Sequence, residues 1–332
     1  MSDLLETAAI DHAGLIPAAS LKQLGLSTHA VAALVERGQL VRIRRGVYAS
    51  GEHWTSAKPD ERYRLFVGAT HILSQRPVVV SHESAAVLHG LPTIGAWPKT
   101  VHVIDSEATG GSNARFTTRH RGVSAPDIVQ IGAITVTSLA RTLVDVAMTA
   151  SFLVAVTMID HALRTERVRE LAAQERGIRL STALTKADLY AELATDLPGT
   201  RRSKAERAIA FATDLSANPG ETLSRVRICE LGFEVPELQV CFPNIGGHTY
   251  WVDYYWRRIR KIGEFDGTLK YTRGTVLGDR DPAEVLLAEK AREDALRQHP
   301  GCESFDRWDW DTAISPRRFH AFLVARGVPR AR

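Results

Sequence analysis

Residues 16 to 50 are punctuated so closely that few local folds can accommodate them. Helix-forming text over 17 to 24 stops at Gly25, and Ser27 or Thr28 then offers an oxygen to cap a second helix through Val31, Leu34 and Val35 that ends at Gly38. Leu40-Val41-Arg42-Ile43-Arg44 follows with the period-two alternation of a strand, Arg45-Gly46 can turn the chain, and Val47-Tyr48 returns. The segment predicts helix, turn, helix and a two-stranded wing.

Charge gives that segment a purpose. The chain carries 42 Lys and Arg against 38 Asp and Glu, a net +4. Between residues 21 and 50, Lys22, Arg37, Arg42, Arg44 and Arg45 face the single acid Glu36, so this window alone holds an excess equal to the total. A helix fits the major groove of B-form DNA, and a basic hairpin tip can approach phosphates or the minor groove. Ser27, Thr28 and His29 occupy the leading end of the second helix, where base edges are usually contacted, with Arg37, Arg42, Arg44 and Arg45 as the basic companions. The same arginines could simply solvate an edge strand. The coincidence of charge, helix order and wing favours double-stranded DNA as the partner.

Composition narrows the rest. With 332 residues, 44% apolar and 24% charged, the chain is neither disordered nor fibrous and is long enough for two or three domains. No apolar run approaches the roughly 18–20 residues of a membrane span, and the first residues carry acids where a signal peptide would carry bases, so a cytoplasmic location is expected. Cys229, Cys241 and Cys302 lack CxxC spacing and suggest neither a disulfide framework nor a zinc site.

The run from Ile16 to Tyr48, containing GLSTHAVAALVERGQLVRIRRGVYA, resembles the N-terminal winged helix of the AbiEi family of type IV toxin–antitoxin antitoxins. Three later stretches resemble that family's following domain: VVVSHESAAVLHGLP at 78–92, VHVID at 101–105 and ITVTSLARTLVDVAM at 134–148. The resemblance implies a regulator that binds inverted repeats in its own promoter, represses it, and counters a partner nucleotidyltransferase toxin. Half-site recognition would call for a dimer.

The middle of the chain, about 60 to 165, reads as mixed α/β: helical text over 62–73, a strand at 78–80, a helix over 83–90, strands near 100–105, 115–120 and 128–136, and a helix from Ser138. Ser81, His82 and Glu83 could be mistaken for a catalytic set, but without a glycine elbow they read better as a strand end and helix cap. Arg115, Arg119, His120 and Arg121 read as a solvated sheet face, with contact to DNA or a toxin as the alternative. The expected organisation is a winged helix over 1–55, an α/β domain over 56–165, a helical connector over 166–202, and a final domain over 203–332.

In that last part a helix bearing Glu221 precedes three strand-like runs, LQVCFP, TYWVDYYW and KIGEFDG. Asp253, Glu264 and Asp266 stand among Trp251, Val252, Tyr254 and Phe265, and acids are depleted in strands and costly to bury. Glu264 and Asp266 share one strand face, and hairpin pairing would bring Asp253 beside them. Three such carboxylates would stay ionised around Mg²⁺ or Mn²⁺, which can polarise a phosphodiester. Alternatively, Asp253 and Asp266 pair with Arg257, Arg258, Arg260 or Lys261.

This arrangement resembles the PD-(D/E)xK nuclease superfamily, particularly domains similar to very-short-patch repair endonucleases, over about 203 to 325, with LLAEKAREDALRQ as a following helix and FDRWDW as a terminal strand. The resemblance implies a restriction-endonuclease-like α/β domain in which Glu221 is the helix acid, Asp253 the central metal ligand and Glu264 the second acid. Where that motif places lysine the chain has Asp266, leaving Lys270 as a substitute for charge stabilisation. The whole is therefore expected to be α+β, a DNA-binding transcriptional regulator of antitoxin type, or alternatively a metal-dependent endonuclease aimed by its winged helix.

Overall fold

The computed structural model describes residues 13–105, 112–121, 127–178, 183–195, 199–267 and 282–331. It is a mixed α/β protein with three sheets among the described residues. Two compact units divide it: Met1–Met158 with Leu184–Ala210, and Ile159–Ala183 with Phe211–Arg332. The stretch expected as a connector is thus shared between them. No described helix is long and apolar enough to cross a membrane.

The first unit opens as its punctuation demands. Strand β1 (Ile16–Pro17) leads into α1 (Ala18–Gln23), α2 (Thr28–Glu36), β2 (Leu40–Arg44) and β3 (Val47–Ser50). Ser27 Oγ accepts the Ala30 amide at 3.2 Å to cap α2, and Gly25 and Gly38 take positive φ values of 80° and 70° where the helices end. Ile16, Leu21, Val31, Leu34 and Leu40 bury the apolar stripe between them. The two-residue β1 makes the wing three-stranded, in the order β1-β3-β2. Behind the wing run α3 (Gly51–Ser56), capped by Ser50 Oγ, and α4 (Pro59–Ile72). Val47 and Ala49 pack against Leu65 and Ala69 of α4, so the wing's inner face is part of a larger core.

The unit continues through β4 (Val79–Val80), α5 (His82–Leu88), β5 (Val101–Asp105), β6 (Ser112–Ala114), β7 (Thr117–Arg121), β8 (Ile128–Ile131), β9 (Ile134–Thr137) and α6 (Leu139–Thr149). The strands form one six-stranded sheet in the order β6-β7-β5-β4-β9-β8, with β5 parallel to β7 and β4 parallel to β9. Residues 128–136, expected as one strand, are a hairpin, because Gly132 at φ 58° reverses the chain.

Helix α7 (Phe152–Glu175) carries the chain out of the first unit, and α8 (Lys186–Ala194) and α9 (Gly199–Phe211) follow. The second unit is then α10 (Pro219–Glu230), β10 (Glu237–Ile245), β11 (His248–Trp256), β12 (Lys261–Asp266), α11 (Pro282–Gln298), β13 (Ser304–Asp309), α12 (Trp310–Ile314) and α13 (Pro316–Ala325). Its sheet runs β10-β11-β12-β13: an antiparallel meander with β13 added parallel to β12. Asp160 of α7 lies in the same unit and accepts from Arg225 Nη2, Thr222 Oγ1 and the Thr213 amide at 2.7–2.8 Å, with the carboxylate and the guanidinium almost wholly buried.

Gly51 is where the wing meets the helix behind it. Its amide donates to the Gln39 carbonyl at 2.9 Å, and a Cβ there would lie 1.8 Å from the Gly38 carbonyl oxygen. Gly51→Ala is expected to cost about 1–3 kcal/mol or more by forcing backbone apart. Gly46→Ala, at φ 84° in open space, should cost only the left-handed backbone penalty of roughly 1–2 kcal/mol. Denaturant melts of the two variants measure the difference.

Candidate nucleic-acid interface and carboxylate cleft

The structure exposes most of the expected DNA face. Ser27, Thr28 and His29 lie exposed at the start of α2, Arg37 is exposed at its end, and Arg42 and Arg45 are exposed on the wing. Arg44 is placed differently. Strict alternation would put it on the face of Arg42, but a bulge shifts the register between them, so Arg42 opposes Tyr48 and Arg44 opposes Val47. Arg44 turns onto the body, donates to Thr70 Oγ1 at 2.6 Å and lies 4.0 Å from the centre of the Phe116 ring. Its partial burial lowers the guanidinium pKa, the expected sign for a cation drawn out of water.

In the second unit Asp253, Glu264 and Asp266 line one cleft of about 210 Å³, together with Glu289, Arg292 and Arg307. The β11–β12 register pairs Tyr254 with Gly263, and continuing it sets Asp253 opposite Glu264. Glu264 is buried and heavily partnered: Arg292 donates to both its oxygens at 2.6 and 3.1 Å, and Arg307 Nη2 stands 3.1 Å away. Asp253 accepts the Phe265 amide at 3.0 Å and Gln239 Nε2 at 3.2 Å. The four basic residues considered as partners for these acids go elsewhere: Arg257 to Glu237, Arg258 to Glu234, Arg260 to Glu303 and Lys261 to Asp306.

Glu221 does not line the cleft. It folds back on its own helix start, accepting from the Ala217 amide at 2.7 Å and Asn218 Nδ2 at 2.6 Å, while Tyr254 OH donates to its backbone carbonyl. Lys270 lies outside the described residues.

A third grouping escapes sequence reasoning. His82, His102 and His120 converge in the first unit, one ring nitrogen of each within 4.8 Å of the others. His82 begins α5 with φ 52°, and its Nδ1 meets Ser81 Oγ at 2.9 Å, so Ser81 faces the imidazole and its side chain makes no cap hydrogen bond. His120 Nε2 lies 3.1 Å from His102 Nδ1, turned inward from the stretch expected as a solvated face. Burial pushes His82 well below the usual imidazole range and lowers His102 and His120 to about 4. The strand alternation of VHVID and TTRHR was visible, but not the parallel β5–β7 register that sets Ile104 against His120 and so places His102 on the same face.

Residues 3–51 match the model of the family described as a transcriptional regulator, AbiEi antitoxin. Over 272 residues the chain is 26% identical to two uncharacterized proteins of Mycobacterium tuberculosis, from strains CDC 1551 and H37Rv, spanning 80% of this chain and 84% of each relative. The winged helix of this chain is therefore similar to that of antitoxin-type transcriptional regulators.

Because Arg44 is committed inward, Arg44→Ala is expected to lower stability by about 1–2 kcal/mol, since the variant makes neither the hydrogen bond to Thr70 nor the approach to the Phe116 ring. Arg42→Ala and Arg45→Ala should leave the melting profile unchanged. Thermal melts of the three single variants check the division.

Proposed function

We propose that the chain is a sequence-specific DNA-binding transcriptional regulator of antitoxin type. The observation that carries this reading is the winged helix itself: the capped start of α2, with Thr28 and His29 exposed, is accompanied by exposed Arg42 and Arg45 on the wing, inside the segment that matches the AbiEi antitoxin family. Phosphate contacts from the arginines would set register, and the first turn of α2 would read base edges. In keeping with that family resemblance, the DNA would be inverted repeats of its own promoter, which it would repress, and the protein partner a nucleotidyltransferase toxin.

Mobility shifts on upstream DNA across a salt series test the DNA part. The Arg42→Ala, Arg45→Ala double variant should bind more weakly and flatten the plot of log affinity against log salt by about 0.9 for each phosphate it no longer neutralises. Thr28→Ala with His29→Ala should reduce discrimination between specific and random DNA. Unchanged affinity and slope in the arginine double variant would remove the wing from the interface.

The second unit favours an additional reading as a metal-dependent endonuclease. Supporting it are the order helix, three-strand meander, helix and parallel strand, and the gathering of Asp253, Glu264 and Asp266 in one cleft. Among the described residues four carboxylates and two guanidiniums line that cleft, a donor set that suits Mg²⁺ or Mn²⁺, which would take Asp253, Asp266 and, by displacing an arginine, Glu264. Cleavage of duplex DNA that requires Mg²⁺ or Mn²⁺ and disappears in Asp253→Ala is the expected result; equal activity in that variant, or none in either metal, counts against it.

A further inference from the structure

We propose that His82, His102 and His120 are the ligands of a divalent metal ion of the zinc type, with Asp145 and Glu83 as the carboxylates that hold and neutralise it. The three imidazoles arrive from different elements: the start of α5, β5 and β7. Zinc held by nitrogens at about 2.0–2.1 Å would set the centres of ligand rings about 5 Å apart. The His102–His120 and His82–His102 centres already lie at 5.0 and 5.8 Å. His82 and His120, stacked at 3.6 Å, would part as the ion enters between their nitrogens.

Two carboxylates beside the rings point the same way, although Arg201 lies within electrostatic reach of His82 and His120, and Lys204 of Glu83. Asp145 is 2% exposed, and its Oδ2 has no hydrogen-bond partner among the described residues while lying 3.9 Å from His82 Nδ1. That places a carboxylate behind the imidazole, with Ser81 Oγ beside it, the outer arrangement that orients a metal-bound histidine and fixes its tautomer. Glu83 Oε2 is likewise buried without a hydrogen-bond partner among those residues and stands 3.3 Å from His102 Nδ1. Two buried acceptors left unsatisfied are costly, and both gain an opposite charge when a cation sits among the rings. Arg141 is already met by Asp145 Oδ1 and Glu192, so it leaves Oδ2 available. The left-handed backbone at His82 is a further strain of the kind that persists where a side chain must be aimed. Imidazole and carboxylate donors suit Zn²⁺ better than the hard cations expected at an all-oxygen cleft.

This site is independent of DNA reading and of the carboxylate cleft, and its test uses the full chain stripped with chelator and titrated with Zn²⁺ or Co²⁺. Wild type should bind one Zn²⁺ at this site, give the visible bands of four-coordinate Co²⁺, and melt several degrees higher when saturated. His102→Gln and His120→Gln should each weaken Zn²⁺ binding by at least about 100-fold, whereas His248→Gln, at an exposed histidine of β11, should leave it intact. X-ray absorption of the zinc-loaded wild type, which needs no variant to fold, should report three imidazole nitrogens. Absence of stoichiometric binding, a spectrum without imidazole ligation, or wild-type affinity in the folded His102→Gln, His120→Gln double variant would overturn the assignment.

Discussion

A charge removed from water must be met by an opposite one, and that constraint organises both units. In the second, Asp160 and Arg225 are almost wholly buried against each other, with Thr213 and Thr222 taking the remaining acceptor capacity of the carboxylate. Such a pair adds little net stability over an apolar filling, but removing one partner strands the other at a cost of about 3–5 kcal/mol. The pair therefore fixes where α10 lies. That helix in turn receives Tyr254 OH at the Glu221 carbonyl and Trp308 Nε1 at Ser224 Oγ, which ties it to β11 and β13. The strands that carry Asp253 and Glu264 are positioned by this chain of hydrogen bonds.

The same rule distinguishes the two polar clusters. At the carboxylate cleft, Arg292 and Arg307 supply positive charge directly beside Glu264. Guanidiniums from α11 and β13 thus stand beside these acids, and any metal would compete with them. Around the histidines the compensation is incomplete: Asp145 Oδ2 and Glu83 Oε2 are buried without hydrogen bonds from the described residues, beside three imidazoles that burial keeps uncharged.

Much of the fold was legible because it depends on local chemistry. Ser27, Gly25, Gly38 and Ser138 act within a turn or two of themselves, and each sits where its cap or left-handed backbone is needed. The meander of the second unit was readable for the same reason, as three successive strand-like runs. What escaped were side-chain placements set by strand register. The bulge that turns Arg44 toward Thr70 and the alignment of β5 with β7 that joins the histidines leave no mark at fixed spacing. The contacts of Glu221 were hidden for a related reason: being first-turn text on a helix does not say that its carboxylate accepts from the Ala217 amide and Asn218 Nδ2.

By itself, then, the sequence determined a winged helix with its basic excess, a mixed α/β middle and a helix-led meander rich in acids, because caps, turns and hydrophobic periodicity act between near neighbours. Only the tertiary structure decided which charges face solvent, which are neutralised by Arg292 and Arg307, and which three histidines share one buried place, because those outcomes depend on strand register and helix docking between residues tens of positions apart.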